Sequence, residues 1–217
     1  MLNQKLFKNR TGQDFLYLQY TPQTNDNNPK PLVVYLHGAG ERNDITNNDM
    51  SIMKTMGLLN QINNEKTFPF YLVAPQCPLN KHWGCFIESL NSFLDYIIEN
   101  NNIDTKRIYL TGYSMGGTGT WTWSISNPER FAAIIPVCGT GIYWYGEQLI
   151  NMPTWVFHGD CDDIVPAYES LNMVNSINKR GGKAKITILQ NVAHNAWDYS
   201  YSDEVLNWLL SCKKREE

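Results

Sequence analysis

Arg107-Ile108-Tyr109-Leu110-Thr111-Gly112-Tyr113-Ser114-Met115-Gly116-Gly117 is an apolar run that ends in G-x-S-x-G and then in small residues. It reads as strand, sharp turn, helix. Such a turn holds one residue in a strained conformation with its side chain above the sheet edge, and glycines two before and two after let neighbouring backbone pass without a Cβ clash. Ser114 is the residue so displayed. A serine hydroxyl is a poor nucleophile at neutral pH, so the reading has content only where the chain also supplies a base, an acid that orients it and an oxyanion site.

Working outward, apolar runs alternate with helical periodicity. Pro31 to Leu36 and Phe70 to Ala74 are continuous apolar runs suited to strands buried on both faces. Phe86, Leu90, Phe93, Leu94, Ile97 and Ile98 recur at helical spacing, and Ile103 to Lys106 is read as a link into the Ser114 strand. A helix over Gly117 to Ser126 follows, then strands at Phe131 to Val137, Thr154 to His158 and Lys185 to Leu189. Helices are expected near Tyr168 to Lys179 and Ser202 to Cys212. Phe15 to Tyr20 reads as an edge strand before a polar loop through Asn25 to Pro29; Asp44 to Lys66 reads as loop with a short helix at Met53 to Ile62. Strands alternating with helices predict an α/β architecture, a mostly parallel central sheet with helices on both faces, in one domain over residues 1–217.

With 217 residues, 42% of them apolar, the chain can bury a substantial core. A net charge of -3 gives no reason to invoke nucleic acid or an anionic membrane, and the Lys213 to Glu217 end reads as a frayed helix end, not a basic arm. No run is long enough to span a bilayer and the first residues carry no signal-peptide pattern, so the expected location is the cytoplasm. Cys77, Cys85, Cys138, Cys161 and Cys212 lack metal-ligand spacing and are expected to be reduced and mostly buried; no metal site is expected. His37-Gly38-Ala39-Gly40 follows a buried strand, but Asn43 stands where a dinucleotide fingerprint needs its third glycine.

Three acids, Asp160, Asp162 and Asp163, crowd the turn after the Trp155 strand, and the residues alone leave the choice among them open; the turn also reads as an ordinary solvated cap. Of His37, His82, His158 and His194, only His194 follows the last strand, on a loop at the same edge as Ser114. His37 and His158 end strands and read instead as ties between adjacent loops. The order Ser, acid, His is the one this architecture uses. The oxyanion site requires two aimed N–H groups, each worth roughly 3 kcal/mol. Met115 is one candidate, Ala39 the other, with Gly38 and Gly40 letting that turn bend inward. Neither a nucleotide cradle nor a metal cluster has the residues it would need.

These pieces resemble the α/β-hydrolase superfamily, in particular small esterases of the phospholipase/carboxylesterase, dienelactone hydrolase and feruloyl esterase-like groups. The resemblance rests on Leu36 to Arg42, Ala74-Pro75-Gln76, Arg107 to Gly117, Phe157 to Pro166 and the His194 loop. It implies an α/β-hydrolase fold. In such esterases the acid is the Asp of Asp-x-x-Val-Pro, which selects Asp162. The resemblance further implies that Ser114 attacks an ester carbonyl, His194 relays the proton and Asp162 orients the imidazole, with no cofactor. The short connection from Cys138 to Pro153 leaves no room for a large lid, which suits soluble, small-molecule esters. Tyr143, Trp144, Trp83 and Trp197 are read as an aromatic wall for an acyl or aryl group, while Trp121 and Trp123 are read as core. The implied activity is that of a serine carboxylesterase on short-chain or aromatic acyl esters. A thioesterase, lysophospholipase or peptidase would share the mechanism, and a binding module would share the fold.

Overall fold

The computed structural model describes residues 1–24, 26–47 and 49–214. Asn25 of the polar loop, and Arg215 to Glu217 of the supposed frayed helix end, lie outside the described residues. Among the described residues eight strands form one sheet: β1 (Leu2–Phe7), β2 (Phe15–Tyr20), β3 (Lys30–Leu36), β4 (Tyr71–Pro75), β5 (Ile103–Tyr113), β6 (Ala133–Val137), β7 (Trp155–Gly159) and β8 (Lys185–Leu189). Their order is β1-β2-β4-β3-β5-β6-β7-β8. The pairs β1–β2 and β2–β4 are antiparallel, and every later pair is parallel.

Side chains alternate between two cores because successive residues of a strand point to opposite faces. On β3, Val33 and Tyr35 enter one core while Leu32, Val34 and Leu36 enter the other; on β5, Tyr109 and Tyr113 face the first, Ile108 and Leu110 the second. The first core is covered by α1 (Gly57–Asn63) and α5 (Asp203–Ser211), through Leu58, Leu59, Ile62, Val205, Leu206 and Leu209. The second is covered by α2 (Ile87–Glu99), α3 (Met115–Ser126) and α4 (Tyr168–Lys179), with Leu90, Phe93, Leu94 and Ile97 forming the inward stripe of α2. Trp121 and Trp123 are fully buried there, as core. Ser202 caps α5, its hydroxyl accepting from Val205 N.

Four expectations need correction. Phe15–Tyr20 is not an edge strand, because β1 pairs along its whole length. With a mostly exposed, polar LNQKLF sequence, β1 has no buried stripe that would betray it. Ile103 to Lys106 is the start of β5, not a link. The helix placed at Met53 to Ile62 is split into a 3-10 turn over Ile52–Thr55 and α1, joined at Gly57 with φ +48, where a Cβ would lie 2.3 Å from Tyr35 Oη. Of the five cysteines only Cys77 and Cys138 are buried; Cys85 and Cys161 are exposed. The connection from Cys138 to Pro153 carries a 3-10 segment, Tyr143–Leu149, fastened to α4 where the Ser176 hydroxyl donates to Tyr143 O, and it holds no helical lid. Among the described residues no helix is long and apolar enough to cross a membrane.

Candidate active site

The carboxyl ends of β3, β5, β6, β7 and β8 meet at one rim, set by the registers Leu36↔Gly112, Tyr113↔Val137, Val137↔Phe157 and Gly159↔Leu189. Ser114 sits between β5 and α3 with φ 54 and ψ -120, a conformation that costs a non-glycine residue on the order of 1–3 kcal/mol and persists only when its surroundings over-determine it. They do: Ser114 N donates to Val137 O at 2.9 Å, and its carbonyl accepts from Thr118 N at 3.0 Å. A Cβ on Gly112 would lie 2.5 Å from Leu36 O, and one on Gly116 only 1.9 Å from it. The two glycines of the motif therefore let the helix start lie against the end of β3.

A third close approach brings in the base. At Gly159, ending β7, a Cβ would lie 2.1 Å from Val192 O. Asp160 N donates to Leu189 O and Cys161 N to Val192 O, both at 3.0 Å, and these bonds fix the His194 loop beside the acidic turn. His194 Nε2 lies 2.8 Å from Ser114 Oγ, and Nδ1 lies 2.7 Å from Asp162 Oδ2. The other oxygen of Asp162 accepts from Ile164 N at 3.0 Å and Val165 N at 2.9 Å. Of the three candidate acids, Asp162 is buried while Asp160 and Asp163 are exposed. The residues by themselves leave the three open; in the folded loop Asp162 is the one whose carboxylate lies against His194.

Met115 and Ala39 each open a helical segment, α3 and the 3-10 turn Ala39–Glu41, so neither N–H has an intrahelical acceptor. The carbonyls around Ala39 are tied down. Arg42 Nε donates to Ala39 O at 2.8 Å, Trp83 Nε1 to His37 O at 3.0 Å, and Gln76 Nε2 to Glu41 O at 3.1 Å. His37 is buried, accepts from Cys77 N at 2.8 Å through Nε2 and donates from Nδ1 to Gly38 O at 2.6 Å. It ties loops together, in keeping with its place at a strand end, and the backbone donor at Cys77 fixes its tautomer. The roles of Arg42 and Gln76 are not legible in the sequence, since nothing in their spacing says which carbonyl they will reach. Gly38 is required, a Cβ there lying 2.8 Å from Tyr113 Cε2. Gly40 is not, since nothing lies within 4 Å of that position.

An open cleft of about 740 Å³ runs from Met115 and Thr118 along α3 to Ile125, walled opposite by Ile142 and Tyr145, with Trp83 beneath. Trp83 is 1% exposed, so it is the floor of the cleft, not a free aromatic wall. Tyr143 and Trp144 stand exposed beside it, and it is their neighbour Tyr145 that lines it. Trp197 packs edge-on against the His194 ring, centroids 5.6 Å apart, and tilts onto Tyr113 at 4.5 Å. Among the described residues no Asp, Glu, Lys or Arg lines the cleft, whereas His82 does.

Among the described residues, Cys138, Asp162 and His194 bring potential metal-ligand atoms within 4.8 Å of one another. There Asp162 and His194 are hydrogen-bonded to each other, and burial pushes the Cys138 thiol up to about 12.

A family model described as PET hydrolase-like matches residues 86–215. That span holds Ser114, Asp162 and His194 and begins after the His37 turn. Among curated relatives, the bifunctional acetylxylan esterase/xylanase XynS20E of Neocallimastix patriciarum is 32% identical over 76 residues, which is 35% of this chain and 11% of that protein. The cutinase est1 of Thermobifida alba is 33% identical over 117 residues, 49% of this chain and 38% of that one. A solved thermostable esterase superposes with a TM-score of 0.83 at 31% identity, covering 98% of this chain and 63% of its own. The chain thus spans less than two thirds of the length of each.

Proposed function

The chain belongs to the PET hydrolase-like family, whose fold is that of the α/β-hydrolases, and on that premise we propose that it is a serine carboxylesterase acting on uncharged esters with a short-chain or aromatic acyl group. The observation that carries the reading is the unbroken chain of hydrogen bonds from the Asp162 carboxylate through both nitrogens of His194 to the Ser114 hydroxyl.

In this reaction His194 Nε2 takes the hydroxyl proton as Ser114 Oγ attacks the ester carbonyl. Asp162 holds the proton on Nδ1, so that Nε2 is the basic nitrogen and the imidazolium that forms is stabilised. The N–H groups of Ala39 and Met115 receive the negative charge that develops on the carbonyl oxygen, with α3 adding the positive end of its dipole. The imidazolium returns its proton to the leaving alcohol. Water, deprotonated by the same nitrogen, then releases the acid from the acyl-enzyme. The cleft beside Met115 supports neutral substrates. With no Asp, Glu, Lys or Arg on its walls it offers no partner for a charged headgroup, while Met115, Ile125, Ile142 and Tyr145 offer apolar contact.

A panel of p-nitrophenyl acetate, p-nitrophenyl butyrate, methyl ferulate, an acyl thioester and an anilide tests the substrate class. The esters are expected to turn over and the anilide not; a thioester or anilide preferred over every ester overturns it. Labelling by a fluorophosphonate, lost in Ser114→Ala, tests the nucleophile, and labelling retained in that variant excludes Ser114.

A further inference from the structure

The Asp162 carboxylate is held by a second histidine. His158, the penultimate residue of β7, is fully buried, and its Nε2 lies 2.7 Å from Val165 O and 3.2 Å from Asp162 Oδ2, the oxygen that receives His194. A carbonyl can only accept, so the proton is on Nε2. That N–H meets the carbonyl, and the carboxylate oxygen stands 3.2 Å from the same nitrogen. Nδ1, bare in this tautomer, accepts from the hydroxyl of Ser170, 2.7 Å away on the first turn of α4 and itself fully buried. Burial holds the imidazole below its ordinary range, outweighing the Val165 carbonyl and Asp162, so the ring is neutral and the tautomer is set by its partners.

We infer that His158 is a positioning residue for the acid of the triad: its Nε2–H fixes which Asp162 oxygen faces His194 and at what angle, and Ser170 fixes His158 in the tautomer that can do so. The inference rests on the triad reading above. Without His158, Oδ1 keeps the Ile164 and Val165 amides, but Oδ2 has His194 as its one partner and the carboxylate can pivot about Cβ–Cγ. A tie between loops needs only the Val165 and Ser170 bonds. The contact with Oδ2 is what links this network to the chemistry, making a path Ser170–His158–Asp162–His194–Ser114. His158 touches neither Ser114 nor the cleft wall, so a change there should act on turnover and leave substrate binding alone.

The test uses the full chain with p-nitrophenyl butyrate, together with the far-downfield NMR resonance of the proton between His194 Nδ1 and Asp162. His158→Leu, which removes the donor, is expected to lower kcat about 10- to 100-fold, the span of losing a hydrogen bond to a charged group, with KM unchanged and that resonance displaced. His158→Gln can return an N–H to the Nε2 position, and it should recover most of kcat and the resonance. Ser170→Ala should lower kcat in the same direction, and combining it with His158→Leu should add little, since both act through one bond. A folded His158→Leu with wild-type kcat, a loss confined to KM, or a His158→Gln no better than His158→Leu overturns the inference. Should His158→Leu fail to fold, His158→Gln and Ser170→Ala decide it: both must keep KM, and Ser170→Ala must move kcat and the resonance, or the inference falls. Activity surviving Ser114→Ala would instead sink the triad reading itself, so the two failures are distinguishable.

Discussion

Replacing Gly116 by alanine tests whether the oxyanion site depends on contact between two backbones. The added Cβ would sit 1.9 Å from Leu36 O, 2.5 Å from Leu36 C and 2.7 Å from His37 O, against an ordinary contact that begins near 3.4 Å. All three are backbone atoms, so no side chain can swing aside. The end of β3 and the first turn of α3 must separate by about 1.5 Å. Ala39 N–H lies three residues beyond Leu36 and Met115 N–H one residue before Gly116, so that separation opens the pair of donors. A misplacement of about 1 Å costs on the order of 100-fold in rate, and loss of one donor about 100- to 1,000-fold. We therefore expect kcat/KM on p-nitrophenyl butyrate to fall by about 100-fold or more. Overpacking of roughly 1–3 kcal/mol should lower Tm by on the order of 2–12 °C for a chain of this size. Gly40→Ala is the companion for stability: nothing lies within 4 Å of a Cβ there, and Tm should stay near wild type. A folded Gly116→Ala enzyme with near-wild-type kcat/KM would refute the argument, because the donors would then tolerate the displacement the contact demands.

Asp162→Asn should lower kcat by about 10,000-fold by removing the acceptor that keeps the His194 tautomer correct, whereas exposed Asp163→Asn should remain near wild type; the reverse result, from the same ester assay, moves the acid to Asp163. His158 is held neutral by burial below its ordinary value of 6.5, with His194 adding to the effect and the Val165 carbonyl and Asp162 opposing it. Below pH 6.5 the unfolded chain therefore binds a proton that the folded one resists, and stability falls as pH drops through that window. Thermal melts from pH 7 downward should show a shallower decline for His158→Gln than for wild type, and parallel curves would contradict this. The buried thiols of Cys77 and Cys138, both pushed up to about 12 chiefly by burial, should stay unreactive toward Ellman's reagent at pH 8 in native protein. Exposed Cys85 and Cys161 should react first; peptide mapping that found Cys138 modified first would contradict its burial.

Several features were legible in the linear sequence because they rest on local physics. A continuous apolar run means a strand buried on both faces, an i, i+3, i+4, i+7 stripe means a covered helix, and G-x-S-x-G needs two missing Cβ atoms whatever surrounds it. Those signals located β3 to β8 and α2 to α5 and singled out Ser114, while the order of acid and His along the chain pointed to His194. What they could not supply depends on atoms distant in sequence. β1 is a strand because β2 offers it an edge; of its own side chains Phe7 alone is buried, which makes no stripe a sequence pattern could show. Gly40 looks like Gly38 on paper, yet only Gly38 has Tyr113 against it. Trp83 and the tyrosines of the Cys138 to Pro153 connection are equally aromatic, and packing alone puts the first under the cleft and Tyr145 on its wall. Which of Asp160, Asp162 and Asp163 comes within reach of His194, and which histidine stands beside that carboxylate, follow from where the β7 loop meets Val192 and where α4 sets Ser170. These are contacts between segments a dozen to some thirty residues apart, and no local pattern encodes them because their energy exists only once the sheet has brought those segments together.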